Sequence, residues 1–79
     1  MELNLRGMTV EEALIDLDRY LDSAFLSRLP FVRIIHGKGT GRLRTAIREA
    51  LRAHSLVSSV QEAGEAEGGE GVTIARLAS

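Results

Sequence analysis

Residues 36–41 are the part of the chain whose types and spacing are best suited to phosphate chemistry. They read His-Gly-Lys-Gly-Thr-Gly. Glycine at every second position lets the backbone turn tightly and leaves its amide groups uncovered, and backbone amides arranged in this way bind anions. Lys38 adds a positive charge, and His36 adds a side chain that can transfer a proton near neutral pH. The sequence therefore predicts a phosphate cradle in this loop.

A predicted strand precedes the loop and a predicted helix follows it. Residues 31–35 are almost all apolar, which is typical of an inner strand, and residues 42–52 repeat apolar side chains with helical spacing. The start of that helix would bring its partial positive charge to the loop. A glycine turn could also serve only to connect the two elements, so the surrounding charge has to decide between the two interpretations.

Positive charge is concentrated in and around this loop. Residues 31–54 carry six arginines and lysines against one glutamate, a net charge of +5, whereas residues 1–30 and 55–79 each carry −3. Coulomb attraction would steer a polyanion to the basic segment even though the whole chain has a net charge of −1. The charge pattern therefore favours anion binding.

The loop matches neither of the two common nucleotide motifs. The P-loop pattern is absent, and the third glycine, Gly41, comes one residue too early for a dinucleotide fingerprint. That fingerprint also needs an acidic residue about 20 positions further on, where residues 54–60 contain none. We therefore expect no cofactor in this domain. A divalent metal ion is compatible with the sequence, but no carboxylate cluster supports one, and no metal-ligating residue is predicted.

A second polar pair is predicted at the same edge of the sheet. Residues 3–6 alternate apolar and polar side chains, so Asn4 and Arg6 share the face opposite Leu3 and Leu5. If this strand lies beside residues 31–35, Arg6 and His36 converge. Arg6 is suited to gripping a phosphate and stabilising its transition state, and Asn4 to positioning a substrate by hydrogen bonds.

The predicted site residues form two groups, catalytic and backbone-binding. The catalytic group is Arg6, His36 and Lys38. The group expected to bind the nucleic-acid backbone is Asn4, Gly37, Gly39, Thr40, Gly41, Arg42, Arg44 and Arg48. Arg44, Arg48 and Arg52 recur at every fourth position and would form a basic row along one side of the second helix. The carboxylates of the first helix are expected to be solvated surface.

The predicted element order is β-α-β-α-β-β. The first helix covers residues 10–25 and begins with a capping box, and the last two strands cover residues 57–61 and 72–77. Right-handed crossovers make the first two strands parallel, and the last two strands pair as a hairpin. We therefore predict an α/β (α+β) two-layer sandwich, in which a four-stranded mixed sheet carries both helices on one face.

Length and composition bound the class of protein. The 79 residues allow one small domain, and with no cysteine and 4% aromatic residues its core must be aliphatic. No segment has the length of a membrane span and no signal peptide opens the chain, so we expect a cytoplasmic domain without a membrane partner. A core of this size gives only marginal stability by itself, and we therefore expect residues 1–79 to be a domain excised from a longer protein.

Several motifs together resemble the Smr (small MutS-related) domain family. They are Leu-Asn-Leu-Arg-Gly at residues 3–7, Ile-Ile-His-Gly-Lys-Gly-Thr-Gly at 34–41, Leu-Arg at 43–44 and Gly-Val-Thr at 71–73. The match covers essentially the whole chain and is nearest to the C-terminal domain of the second bacterial MutS paralogue. The resemblance implies a fold similar to the C-terminal domain of translation initiation factor three.

The resemblance also implies nucleic-acid binding and, in many members, nicking of DNA or cleavage of RNA. The leading hypothesis is the nuclease module of a MutS-related protein in recombination suppression or DNA repair. The family usually has aspartate where this chain has Asn4. The alternative is therefore a non-catalytic module that docks a dimeric MutS-related ATPase onto DNA or ribosomal RNA, for example in ribosome rescue. A small-molecule phosphate enzyme is disfavoured, because the site lacks carboxylates and enclosing loops.

Overall fold

The computed structural model describes residues 2–78, which form a four-stranded sheet with two α-helices packed on one face. The strands are β1 (Glu2–Asn4), β2 (Phe31–Ile35), β3 (Val57–Glu62) and β4 (Val72–Leu77), and the helices are α1 (Val10–Leu26) and α2 (Arg42–Ala53). Two short 3₁₀ turns, Glu65–Glu67 and Gly69–Gly71, occupy the connection between β3 and β4. The predicted element order is confirmed.

The sheet has the strand order β1-β2-β4-β3 and is mixed, as predicted. β1 and β2 are parallel, and β4 pairs antiparallel with both β2 and β3. β1 ends at Asn4, two residues earlier than predicted, because the Asn4 side chain accepts a hydrogen bond from the Arg6 amide and starts a turn. The Leu5 amide still donates to the Ile35 carbonyl at 2.7 Å, so the chain stays beside β2 as far as its last residue and turns away from the sheet only after Leu5.

The start of α1 is set by the predicted capping box. The Glu12 amide donates to the Thr9 hydroxyl at 3.2 Å, and the Glu12 carboxylate accepts from the Thr9 amide at 2.9 Å. The hydrogen bond from the Thr9 backbone amide lowers the pKa of Glu12 most, and the one with the Thr9 side chain lowers it further. The apolar residues of this helix, including Phe25, follow helical spacing in the sequence, which predicts that they are buried, but the Phe25 side chain is 37% exposed because it lies at the last turn.

The main core lies between the helices and one face of the sheet. It contains Leu5, Val32 and Ile34 from the parallel edge, Ala75 and Leu77 from β4, Ala13, Leu17, Leu21 and Ala24 from α1, and Ile47 and Leu51 from α2. The opposite face of the sheet carries a smaller apolar cluster of Ala63, Val72 and Ile74, against which Phe31 and Ile35 pack. Within residues 2–78, neither helix combines the length and the apolar character needed to cross a bilayer.

Candidate functional site

The glycine loop, residues 36–41, lies where the parallel strands β1 and β2 end. Arg6 follows β1 and reaches this loop, as the parallel pairing predicts. Gly37 has a φ of +80°, and a Cβ atom built on it would lie 3.2 Å from Cγ of Arg6. The aliphatic stem of Arg6 therefore rests directly on Gly37, and a side chain at position 37 would push it away.

Asn4 orients Arg6. Its Oδ1 atom accepts hydrogen bonds from the Arg6 amide at 3.0 Å and from Nε of the Arg6 guanidinium at 3.3 Å. Both side chains are exposed, and the remaining guanidinium nitrogens donate to no acceptor within residues 2–78. The amide oxygen thus holds the guanidinium beside the loop while leaving most of its donors available to a ligand.

The backbone amides of the loop divide into used and available donors. Gly37 donates its N–H to the Gly71 carbonyl at 3.0 Å, and Gly41 donates to the Lys38 carbonyl at 3.1 Å. Within the described part of the chain, the amides with no protein acceptor are those of Lys38, Gly39, Thr40, Leu43 and Arg44. The available anion donors are therefore the middle of the loop and the first turn of α2, and of the three predicted glycines only Gly39 keeps a free amide.

The end of the loop leaves the helix N-terminus open. Gly41 is the N-cap of α2, with a φ of +84°, and it has no side chain to cap the first amides. Arg44 lies close by, since a Cβ atom at Gly41 would be 3.1 Å from its guanidinium Nη2. An anion at this helix start would meet free amides, a helix dipole and a guanidinium together.

An open cleft of about 710 Å³ runs alongside the loop. One wall consists of His36–Arg44, and the other wall is the start of α1: Met8, Thr9, Val10 and Glu11. Sequence reasoning missed this second wall. The right-handed β-α-β crossover was the available signal, since it returns the start of α1 to the edge where β1 ends. The Glu11 carboxylate lies on this wall, so phosphate groups are expected to bind on the opposite, basic side.

His36 lies under the loop and is only 4% exposed. Its Nδ1 atom lies 2.9 Å from the Gly37 carbonyl oxygen, and its Nε2 atom lies 2.8 Å from the Thr73 hydroxyl. Burial lowers the pKa of His36, and the positive charges of Arg48 and Arg44 lower it further, while the hydrogen bond to Gly37 opposes them. The lowered pKa therefore favours the neutral form of the ring at pH 7.

The predicted basic row of Arg44, Arg48 and Arg52 lines one surface depression along α2, but only part of it reaches the cleft. Arg44 lines the cleft, whereas Arg48 is absent from the cleft walls and donates from Nε to the Thr73 hydroxyl at 3.0 Å. Arg48 Nη2 also lies 3.8 Å from the Glu62 carboxylate. Arg52 lies further along the helix and lines the depression with Arg44 and Arg48, outside the cleft, where Glu62 and Glu70 offset the positive charge. Of this row, only Arg44 is placed to contact a ligand in the cleft.

The chain is similar to known proteins over almost its whole length. The model of a family described as the Smr domain matches residues 3–78. Proteins named Endonuclease MutS2 from Symbiobacterium thermophilum and Thermomicrobium roseum are 58% and 59% identical to it over 76 residues, which is 96% of this chain. The chain spans only 10% of the length of each of these relatives.

Solved structures show the same fold. The crystal structure of the Smr domain of Thermus thermophilus MutS2 superposes with a TM-score of 0.96 at 50% identity, covering 99% of this chain and 98% of that one. YdaL, a stand-alone small MutS-related protein from Escherichia coli, gives a TM-score of 0.91 at 27% identity, covering 99% of this chain and 64% of that one.

Proposed function

The chain belongs to the Smr domain family, and from this membership we propose that it binds the backbone of DNA or RNA and nicks it by hydrolysing a phosphodiester bond. The observation that carries the proposal is the glycine loop, where free backbone amides, Lys38 and Arg6 are gathered at one place. Within a longer MutS-related protein, the domain would serve as the nuclease module in recombination suppression or DNA repair.

The groups at the cleft are suited to recognising phosphate and not base identity. Lys38, Arg42 and Arg44 line it, and Arg6 lies against the loop beside it. Arginine, lysine and backbone amides that contact phosphate oxygens position a nucleic acid without reading its sequence. Among the described residues, no phenylalanine, tyrosine or tryptophan lines the cleft and the His36 ring is buried, so a base-stacking platform is not part of the site.

The same groups favour the transition state of hydrolysis. When water attacks phosphorus and the bond to the leaving oxygen breaks, negative charge builds on the phosphoryl oxygens. Donors that are fixed before the reaction stabilise this charge without reorganising. Arg6 is held by Asn4, and the amides of Lys38 and Gly39 are held by the loop, so these donors are preorganised.

Binding to DNA or RNA is expected to weaken steeply with salt. If Arg6, Lys38, Arg42 and Arg44 each neutralise one phosphate, the logarithm of the association constant should fall against the logarithm of salt concentration with a slope of about −3 to −4 on duplex DNA. Fluorescence anisotropy on labelled duplex and single-stranded DNA and RNA measures this slope, and plasmid relaxation measures nicking. Arg44→Ala should reduce the slope by about 0.9, whereas the matched Arg19→Ala on the exposed face of α1 should not change it. A flat salt response would contradict the proposal.

Asn4 supports a second candidate function, that of a non-catalytic docking module. An amide cannot act as a general base or supply a carboxylate to a metal ion. In this alternative the site would only hold DNA or ribosomal RNA and bring a dimeric MutS-related ATPase to it. The position of Asn4 favours nicking over docking alone, because its oxygen is already committed to holding Arg6.

Asn4→Asp distinguishes the two functions. An aspartate would keep both hydrogen bonds to Arg6 and add an exposed ion pair with it, and such a pair contributes about 0–1 kcal/mol. If Asn4 only orients Arg6, the substitution should therefore change the rate of nicking by less than about fivefold. Plasmid relaxation by wild type and variant, with and without a chelator, measures the change. A wild type that binds but does not cut, together with an aspartate variant that cuts, would establish the docking module instead.

A further inference from the structure

A chain of hydrogen bonds beneath the glycine loop joins residues from three elements. It runs from the Gly37 carbonyl through the His36 ring to the Thr73 hydroxyl of β4, and from there to the Arg48 guanidinium of α2. Thr73 is fully buried, and the Arg48 side chain is 20% exposed. The sequence singled out His36 for proton transfer, but it gave no reason to connect it with Thr73 or Arg48.

The partners in this chain determine where each proton lies. The Gly37 carbonyl can only accept, so His36 Nδ1 carries the ring proton. A neutral ring then has a bare Nε2, which accepts the hydroxyl proton of Thr73. The Thr73 oxygen in turn accepts from Arg48 Nε, which can only donate. Every bond in the chain thus has one donor and one acceptor with His36 as the neutral Nδ1–H tautomer.

The His36 ring controls the direction of a peptide group in the loop. The described residues contain no cis peptide bond, and in a trans peptide the carbonyl and the following N–H point in opposite directions. Because the Gly37 carbonyl points at the buried ring, the Lys38 N–H points away from it. Lys38 lines the cleft, and its amide has no protein acceptor within residues 2–78.

We propose that His36 is a positioning residue that aims the Lys38 amide at a bound phosphate, and that Thr73 and Arg48 hold its ring in the tautomer this requires. The proposal rests on the proposed function for the identity of the ligand, a nucleic-acid phosphate, but not for the geometry of the loop. In this arrangement the ring does not exchange protons with the substrate, since both of its nitrogens are occupied.

Burial favours the neutral form of the His36 ring, and the charges around it act in the same direction. Arg48 and Arg44 face it from α2, and the stem of Arg6 covers Gly37 from the β1 side. β4 contributes the uncharged Thr73 and Gly71, and the carboxylate of Glu62 lies beyond Arg48. A second ring proton would add a positive charge among these arginines and would remove the acceptor that Thr73 uses.

Nitrogen NMR of the labelled domain tests the tautomer directly. We expect His36 Nδ1 to be protonated and Nε2 bare at pH 7 and above, because burial lowers the pKa of the ring below its ordinary value of 6.5. Thr73→Val removes the hydroxyl and keeps the side-chain volume, so it should shift the His36 Nε2 resonance and broaden the resonance of the Lys38 amide. The matched control Thr45→Val, on the exposed face of α2, should change neither resonance. A protonated Nε2 in the wild type at pH 7 would overturn the proposal whether or not the domain cuts DNA.

Substitutions of His36 separate positioning from proton transfer. The side-chain amide of asparagine can donate to the Gly37 carbonyl as Nδ1 does, but it cannot transfer a proton near pH 7. His36→Asn is therefore expected to bind a labelled oligonucleotide within about fivefold of wild type and to nick with an unchanged pH profile. His36→Ala should lose about tenfold or more in affinity, the value of one hydrogen bond to a charged group.

The outcomes keep this proposal distinct from the proposed function. If His36→Asn and His36→Ala both lose nicking by about 10²–10⁴-fold with binding unchanged, His36 transfers protons and the positioning role is wrong. If the wild type shows no salt-dependent binding, the proposed function fails, while the NMR tautomer still decides the role of the ring. Circular dichroism of each variant identifies losses that come only from unfolding, and Thr73→Val then replaces any His36 variant that does not fold.

Discussion

Replacing Arg6 with alanine is expected to lower the rate of plasmid nicking by about 10²–10³-fold, the usual effect of removing one preorganised donor that stabilises developing charge. Arg6 is held beside the loop by the fold, since its stem lies on Gly37 and its Nε donates to Asn4. Its guanidinium is therefore held ready for the phosphoryl oxygens. The oligonucleotide affinity should fall much less than the rate, because the interaction strengthens in the transition state.

The controls for this prediction separate position from charge. Arg19→Ala removes the same charge from an exposed position on α1 and should leave the nicking rate unchanged. Arg6→Lys keeps the charge but loses the planar fork, so its rate should fall between those of wild type and the alanine variant. If Arg6→Ala and Arg19→Ala nick at the same rate, Arg6 is not part of the catalytic group.

Replacing Leu21 with alanine is expected to lower the free energy of unfolding by about 2–5 kcal/mol, the range for a buried leucine that leaves a cavity. Leu21 is fully buried in the middle of the core between α1 and the sheet. A domain of 79 residues has a total stability of about 4–12 kcal/mol, so this one substitution removes a large share of it. Urea denaturation followed by circular dichroism measures the loss.

The same helix provides a matched control. Leu26 ends α1 and its side chain is 81% exposed, so Leu26→Ala should change the free energy of unfolding by less than about 0.5 kcal/mol. The two variants delete the same atoms and differ in burial. Equal losses of stability would mean that the packing of α1 on the sheet does not stabilise the domain as described.

The secondary structure was predictable because local patterns specify it. Alternating apolar residues indicated the first strand, Thr9 and Glu12 indicated the start of α1, and the apolar run at residues 31–35 indicated an inner strand. The handedness of β-α-β crossovers then sufficed to make β1 and β2 parallel. The main local difference, the early end of β1, arises because a side-chain oxygen of Asn4 competes for the Arg6 amide.

The details of the site were less predictable because they depend on partners that are distant in the chain. Gly37 was expected to offer its amide to phosphate, but Gly71 lies next to it in the folded chain and accepts that hydrogen bond. Arg48 was expected to contact a phosphate, and it is instead held by Thr73 and Glu62. Helical spacing places a residue on a face, but it does not reveal which acceptors the neighbouring strand brings to that face.

The sequence by itself determined that a basic glycine loop joins an inner strand to a helix, and that this loop belongs to an Smr domain. Only the tertiary structure decided which donors of the loop are free and which way they point. The reason is that a hydrogen-bonding group is available to a ligand only when no other group of the folded chain has satisfied it. Gly71 and Thr73, which lie 30 and 32 residues after the end of the loop, provide that competition and leave the amides of Lys38 and Gly39 free for a ligand in the cleft.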